Sequence, residues 1–162
     1  MKSVIFFITI FLIALSAGFY FAWSVSVILG TKKVSNFTYL EVMQSINREI
    51  LNPAFFILFF GSLVTLLVNT ILQYKNNLTF WLVLAATIIY VIGTFGVTAF
   101  GNVPLNNALH NINIIECTAA ELKNFRSYYE TYWNQYHTVR TVASSISFIL
   151  LLIAIFNKNH FN

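Results

Sequence analysis

The sequence predicts an all-α membrane protein of one domain: a four-transmembrane-helix bundle with short interfacial helices in the two long loops on one side. Three observations predict it. Charged residues make up 9% of the 162 residues and hydrophobic ones 58%, where a soluble domain carries roughly 25% charged residues. Four apolar runs are each long enough to cross a hydrocarbon core of about 30 Å at 1.5 Å per residue. The connections between the runs are unequal, one tight and two long. Helices are the only open-ended solution, because lipid cannot satisfy backbone polar groups.

Span one covers Val4–Leu29. Its start resembles a secretory signal, with Met1-Lys2 before an apolar run and Ala14-Leu15-Ser16 as a cleavage-like site. The run continues through Phe19-Tyr20-Phe21-Ala22-Trp23, longer than the ~7–15 residues of a signal core, so an uncleaved helix is expected. Span two is Pro53–Tyr74, with Pro53 suited to a first helical turn that needs no N–H. Lys75-Asn76-Asn77 makes the tight turn into span three, Leu78–Phe100. Span four covers about 137–156 and ends before Asn157-Lys158.

The two long connections carry helical patterns. In 30–52, Leu40, Met43, Asn47 and Ile50 recur at helical spacing among charged residues, which reads as a short interfacial helix. In 107–136, Thr118-Ala-Ala-Glu121 is a capping box that opens a second helix. That helix carries Phe125, Tyr128, Tyr129, Tyr132, Trp133 and Tyr136, an aromatic set suited to headgroup level. The lone Cys117 allows no intramolecular disulfide. The net charge of +4 is scattered, with no basic stripe for nucleic acid.

Four spans put both termini and the tight turn on one side, and both long connections on the other. The loop side receives Trp23, Ser24 and Ser26 from span one, and Asn47, Arg48 and Asn52 at the start of span two. Asn102, Pro104 and Asn106 leave span three there, and Trp133, Tyr136, His137 and Arg140 open span four. Only 16 residues separate Thr141 from Phe156, about 24 Å of helix, so span four must begin near His137 and Arg140 lies about one turn below the surface.

His137 and Arg140 share a helix face, and Arg48 and Asn52 do so if the interfacial helix runs into Pro53. Pro104 is expected to end or kink span three and free nearby carbonyls to face a cavity. Taken singly, each residue has a structural reading: Arg140 as a snorkelling side chain, His137 as a hydrogen-bonded packing residue, the asparagines as helix caps. Their convergence on one face favours a functional site, because intramembrane ionisable groups are functional hypotheses by default. For metal, His110 can approach His137 with Glu49 as a third ligand, but no His-x-x-x-His or Glu-x-x-His pair preorganises a site, so none is expected. No Walker loop, dinucleotide fingerprint or nucleophile elbow occurs.

Three ordered motifs carry a resemblance. They are Asn47-Arg48 with Asn52-Pro53-x-Phe55, then Gly96-Val97-Thr98 with Asn102-Val103-Pro104-Leu105-Asn106, and finally Trp133-Asn134-x-x-His137-Thr138-Val139-Arg140-Thr141. Together the chain resembles the anthrone oxygenase-like family from about Ala17-Gly18 to the end of span four. Tyr136 departs from the pattern, where Trp is expected. The resemblance implies oxidation of an anthrone to an anthraquinone by molecular oxygen, with no metal or flavin. On that reading His137 is the base, and Arg140 and Arg48 stabilise enolate and reduced oxygen. Asn47, Asn52, Asn102 and Asn106 hold substrate oxygens, and Trp23, Trp133 and Tyr136 stack on flat rings.

Three readings follow: a cofactor-independent monooxygenase acting on a lipophilic aromatic or quinone-like molecule, a non-enzymatic module binding a lipid or small amphiphile, and a structural or partner subunit. An enclosed pocket around Arg48, His137 and Arg140 favours the first two, and an open groove facing headgroups favours lipid. The expected partners are membrane lipid and a lipophilic small molecule, with self-association allowed and nucleic acid excluded. The expected location is the bacterial cell membrane. Lys2, Lys75 and Lys158 are dense in short segments and place the termini in the cytoplasm, although the loop side holds more Lys and Arg in total.

Overall fold

The computed structural model describes residues 2–74 and 77–160. The tight turn at Lys75-Asn76 lies outside the described residues. The described residues form five helices and no strand: α1 Lys2–Thr31, α2 Asn36–Glu49, α3 Pro53–Leu72, α4 Leu78–His110 and α5 Ala119–His160. Four of them (α1, α3, α4 and α5) are long and apolar enough to cross a membrane. They close into a ring in which α1 packs against α3 and α5, and α4 against α3 and α5.

The helix boundaries follow local chemistry. Ser35 caps α2, its Oγ accepting from the Thr38 N–H at 3.1 Å. Asn52 caps α3 through Phe55 N–H at 3.0 Å, with Pro53 in the first turn. Asn77 caps α4 in the same way. At the start of α5 the capping box closes in both directions: Glu121 Oε2 accepts from Thr118 N–H at 2.8 Å, and Thr118 Oγ1 accepts from Glu121 N–H at 3.3 Å.

Two boundaries differ from the sequence reading. The second loop helix is not separate from span four: α5 runs 42 residues without a break. No Gly or Pro interrupts 119–157, so nothing local ends the helix. At 1.5 Å per residue it is about 63 Å long, roughly twice the hydrocarbon thickness, so its N-terminal half stands outside that layer. Span three likewise continues past Phe100 to His110. Pro104 does not end it. The helix widens into π turns over Tyr90–Gly96 and Thr98–Asn102, where the Val103 N–H reaches back five residues to the Thr98 carbonyl. A third π turn spans Trp23–Val27 in α1. Single π turns inside α-helices frequently mark functional sites, and these flank the site described below.

The core has two parts. Between the spans, Phe6, Ile13, Leu66, Val83, Tyr90 and Leu151 pack together. Above them, α2 lays Tyr39, Leu40 and Met43 against Leu105, Leu109, Tyr129 and Trp133. The amphipathic pattern of 36–49 is therefore spent on protein contact. The aromatic run of α5 divides likewise, with Tyr129 and Trp133 buried and Tyr128, Tyr132 and Tyr136 exposed. Gln44 locks α2 to the end of α4 by donating to the Leu109 and Ile112 carbonyls at 2.8 and 3.0 Å. Gly93 lets α4 and α5 touch, since a Cβ there would sit 2.6 Å from Ala143 Cβ.

Candidate functional site

At the loop-side end of the ring lies a cavity of about 260 Å³. That is just below the ~300–1,000 Å³ usual for small-molecule sites. Of the residues the sequence singled out, it brings together Trp23, Asn47, Arg48, Asn102, Asn106, Trp133, His137 and Arg140. Two lie outside its lining. Asn52 is occupied as a helix cap and donates to the Glu49 carbonyl at 2.7 Å. Because α2 stops at Glu49 and Asn52 is extended, Arg48 and Asn52 do not share a helix face. Tyr136 turns away and lays its ring over Gly101, where a Cβ would come within 2.9 Å of it.

Arg140 is the centre of the site. It is 7% exposed, and no carboxylate of the described residues pairs with it. Its guanidinium carbon lies 4.9 Å from the ring centroids of both Tyr20 and Trp133, so two aromatic faces hold it. One N–H donates to His137 Nδ1 at 3.2 Å, and Nε has no partner. Arg126 shows what a satisfied arginine looks like in the same fold. It pairs with Glu130 at 2.9 Å, stacks over Tyr39 and donates to the Thr31 and Val34 carbonyls. It latches the α1–α2 turn to α5, whereas Arg140 is held open toward the cavity.

His137, 1% exposed, is fixed on every side. Its ring stacks on Trp133 at 5.2 Å and 8°. A guanidinium only donates, so Nδ1 accepts and Nε2 carries the proton. Nε2 faces the Tyr20 carbonyl at 3.1 Å, an acceptor that requires that tautomer, and Ser24 Oγ at 2.9 Å. Ser24 sits in the π turn of α1, which joins α1 to α5 at this point.

A second network frames the opposite wall. Asn106 Oδ1 accepts from Tyr129 OH at 3.0 Å and from Trp133 Nε1 at 2.9 Å, and Asn47 Nδ2 donates to Tyr129 OH at 3.1 Å. Asn102, 1% exposed, donates to the Trp133 carbonyl at 3.2 Å and leaves Oδ1 unpartnered. The site thus offers unpaired guanidinium N–H donors and an unpaired amide oxygen within an otherwise aromatic lining. Arg48 is exposed and lines the same cavity, as does His110. Among the described residues no three His, Cys, Asp or Glu side chains gather as a metal site.

Tyr20 was not among the residues selected from sequence. It supplies one face of the Arg140 clamp and the carbonyl that orients His137. A tyrosine inside an apolar span gives no local signal of such a role, though its three-residue spacing from Trp23 places both on one helix face.

Residues 42–150, more than half of the chain, match the family model for anthrone oxygenase. No curated protein and no solved structure matches. The matched region holds three of the four spanning helices and most of the cavity wall, and the chain belongs to the anthrone oxygenase family.

Proposed function

We propose that the cavity takes a flat, lipophilic, enolisable aromatic or quinone-like molecule from the bilayer and that the protein oxidises it with molecular oxygen. Arg140 carries this reading. A buried cation without an anionic partner is costly. Held by two aromatic rings, it is preorganised for negative charge that develops on a bound oxygen. For an anthrone, a methylene and O2 become a carbonyl and water. A base removes one methylene proton, the enolate reduces oxygen, and the resulting hydroperoxide loses water. Family membership supports that chemistry, which asks the protein for a base and cationic stabilisation.

His137 is the base in this scheme, on one condition. Its only free lone pair is on Nδ1, and Arg140 holds it. An oxyanion that draws the guanidinium toward itself releases Nδ1 to accept a proton, so ligand binding and base activation are one event. The same contact also favours a second reading, a non-enzymatic module for a lipid or small amphiphile in which His137 only positions Arg140.

Oxygen uptake and anthraquinone formation by purified protein with an anthrone decide between the readings. Protein-dependent turnover supports the oxygenase. Saturable binding without turnover supports the module, and absence of both defeats both. The Lys density around the termini supports a bacterial cell membrane with termini in the cytoplasm.

A further inference from the structure

The cavity is not closed toward the bilayer. A second, almost wholly apolar groove runs between α1 and α3 on the outside of the ring, lined by Phe11, Leu15, Gly18, Phe19, Ala54 and Ile57. Phe19 lines both groove and cavity, and Ala54 of the groove is followed by Phe55 of the cavity. Along α1 the groove extends from Phe19 to Phe11, about 12 Å at 1.5 Å per residue. Phe11, Leu15 and Ile57 expose about half or more of their surface, so the groove faces lipid. Small residues in a span usually mark close helix contact. Here they do not, because a Cβ at Gly18 would meet nothing within 4 Å. The hollow at Gly18 is space, and it begins where the cavity ends.

We propose that this groove is the subsite for an aliphatic or isoprenoid tail on the ligand whose ring occupies the cavity. The inference rests on the cavity reading and narrows its substrate class to tailed aromatic amphiphiles. The polar groups lie at the ring end, on Arg140 and the asparagines, and the groove offers a tail only apolar contact. A ligand of that form enters sideways from the bilayer and keeps its tail in a lipid-like surrounding.

The test uses full-length protein in detergent and two probes, an anthrone and the same anthrone with a linear decyl tail. Binding is read from quenching of tryptophan fluorescence, since Trp23 and Trp133 line the cavity. Wild type should bind the tailed probe at least about tenfold more tightly, the gain expected from burying a few methylenes. Gly18→Leu fills the hollow, and leucine suits a helix better than glycine. It should abolish the gain while leaving tail-free affinity within about twofold, the scatter of a neutral surface change. Gly30→Leu, where a Cβ also meets nothing, should keep the gain. Retention of the full gain in Gly18→Leu overturns the subsite and makes the groove a resting place for bilayer acyl chains. Failure of the tail-free probe to bind wild type overturns the cavity reading itself, and the subsite with it.

Discussion

Arg140 and His137 lie three residues apart on α5, and the guanidinium donates to Nδ1 of the imidazole at 3.2 Å. This fixes the ring as the Nε2–H tautomer, because the guanidinium has no lone pair to accept with. In the resting protein, imidazole-selective ¹⁵N NMR should find Nδ1 unprotonated and Nε2 protonated for His137. The opposite tautomer would remove the Arg140 contact and the ligand-triggered release of Nδ1 built on it.

Replacing Arg140 with Met should leave the protein as stable or stabilise it by about 1–4 kcal/mol, as for other buried charges replaced by apolar residues of similar size. Binding of an anthrone should nevertheless be lost. Denaturation in mixed micelles, alongside ligand titration, separates the two effects. If Arg140→Met destabilises the fold by several kcal/mol and retains affinity, Arg140 is a structural strut.

Asn106 presents the reverse case. Its Oδ1 serves two buried donors, Tyr129 OH and Trp133 Nε1. Asn106→Ala strands both and should cost about 1–3 kcal/mol for each unsatisfied group. Asn106→Asp keeps the acceptor and should recover most of that. Equal loss in both variants would show that the contacts are dispensable.

Gly93→Val places side-chain atoms where Ala143 already sits, and the α4–α5 contact must open. Overpacking of this kind costs about 1–3 kcal/mol. Gly93→Val combined with Ala143→Gly should relieve part of it. A single variant as stable as wild type would mean that the helices are not in contact there.

The four spans were legible because apolar run length alone decides them. The caps at Asn52 and Asn77 and the Thr118–Glu121 box follow standard end chemistry. The gathering of Arg48, Asn102, Asn106, His137 and Arg140 was legible too, since an even number of spans returns these segments to one face. What the sequence hides is orientation within a helix. Asn52 and Asn106 are the same residue type at span boundaries, yet one caps a helix and the other receives Tyr129 and Trp133. Nor does sequence show that π turns at Trp23–Val27 and Thr98–Asn102 rotate Ser24 and Asn102 to their partners. The unbroken α5 was obscured because its polar N-terminal half looks like a loop helix when only hydropathy is followed.

Sidedness is open to direct labelling. With Cys117 replaced by Ser, single cysteines at Ser35 and Lys123 should react from one face of sealed vesicles and a cysteine at Tyr74 from the other. Ser35 and Tyr74 reacting from the same face would break the four-span topology.

The central claim is that the unpaired Arg140 stabilises negative charge on a bound, enolisable ligand. Its most direct test is oxygen consumption with an anthrone by wild type and Arg140→Met at matched amounts of folded protein. The account predicts protein-dependent uptake by wild type and a fall of about 10²–10³-fold in the variant, the usual cost of removing a preorganised oxyanion donor. Equal rates in the two proteins would contradict it.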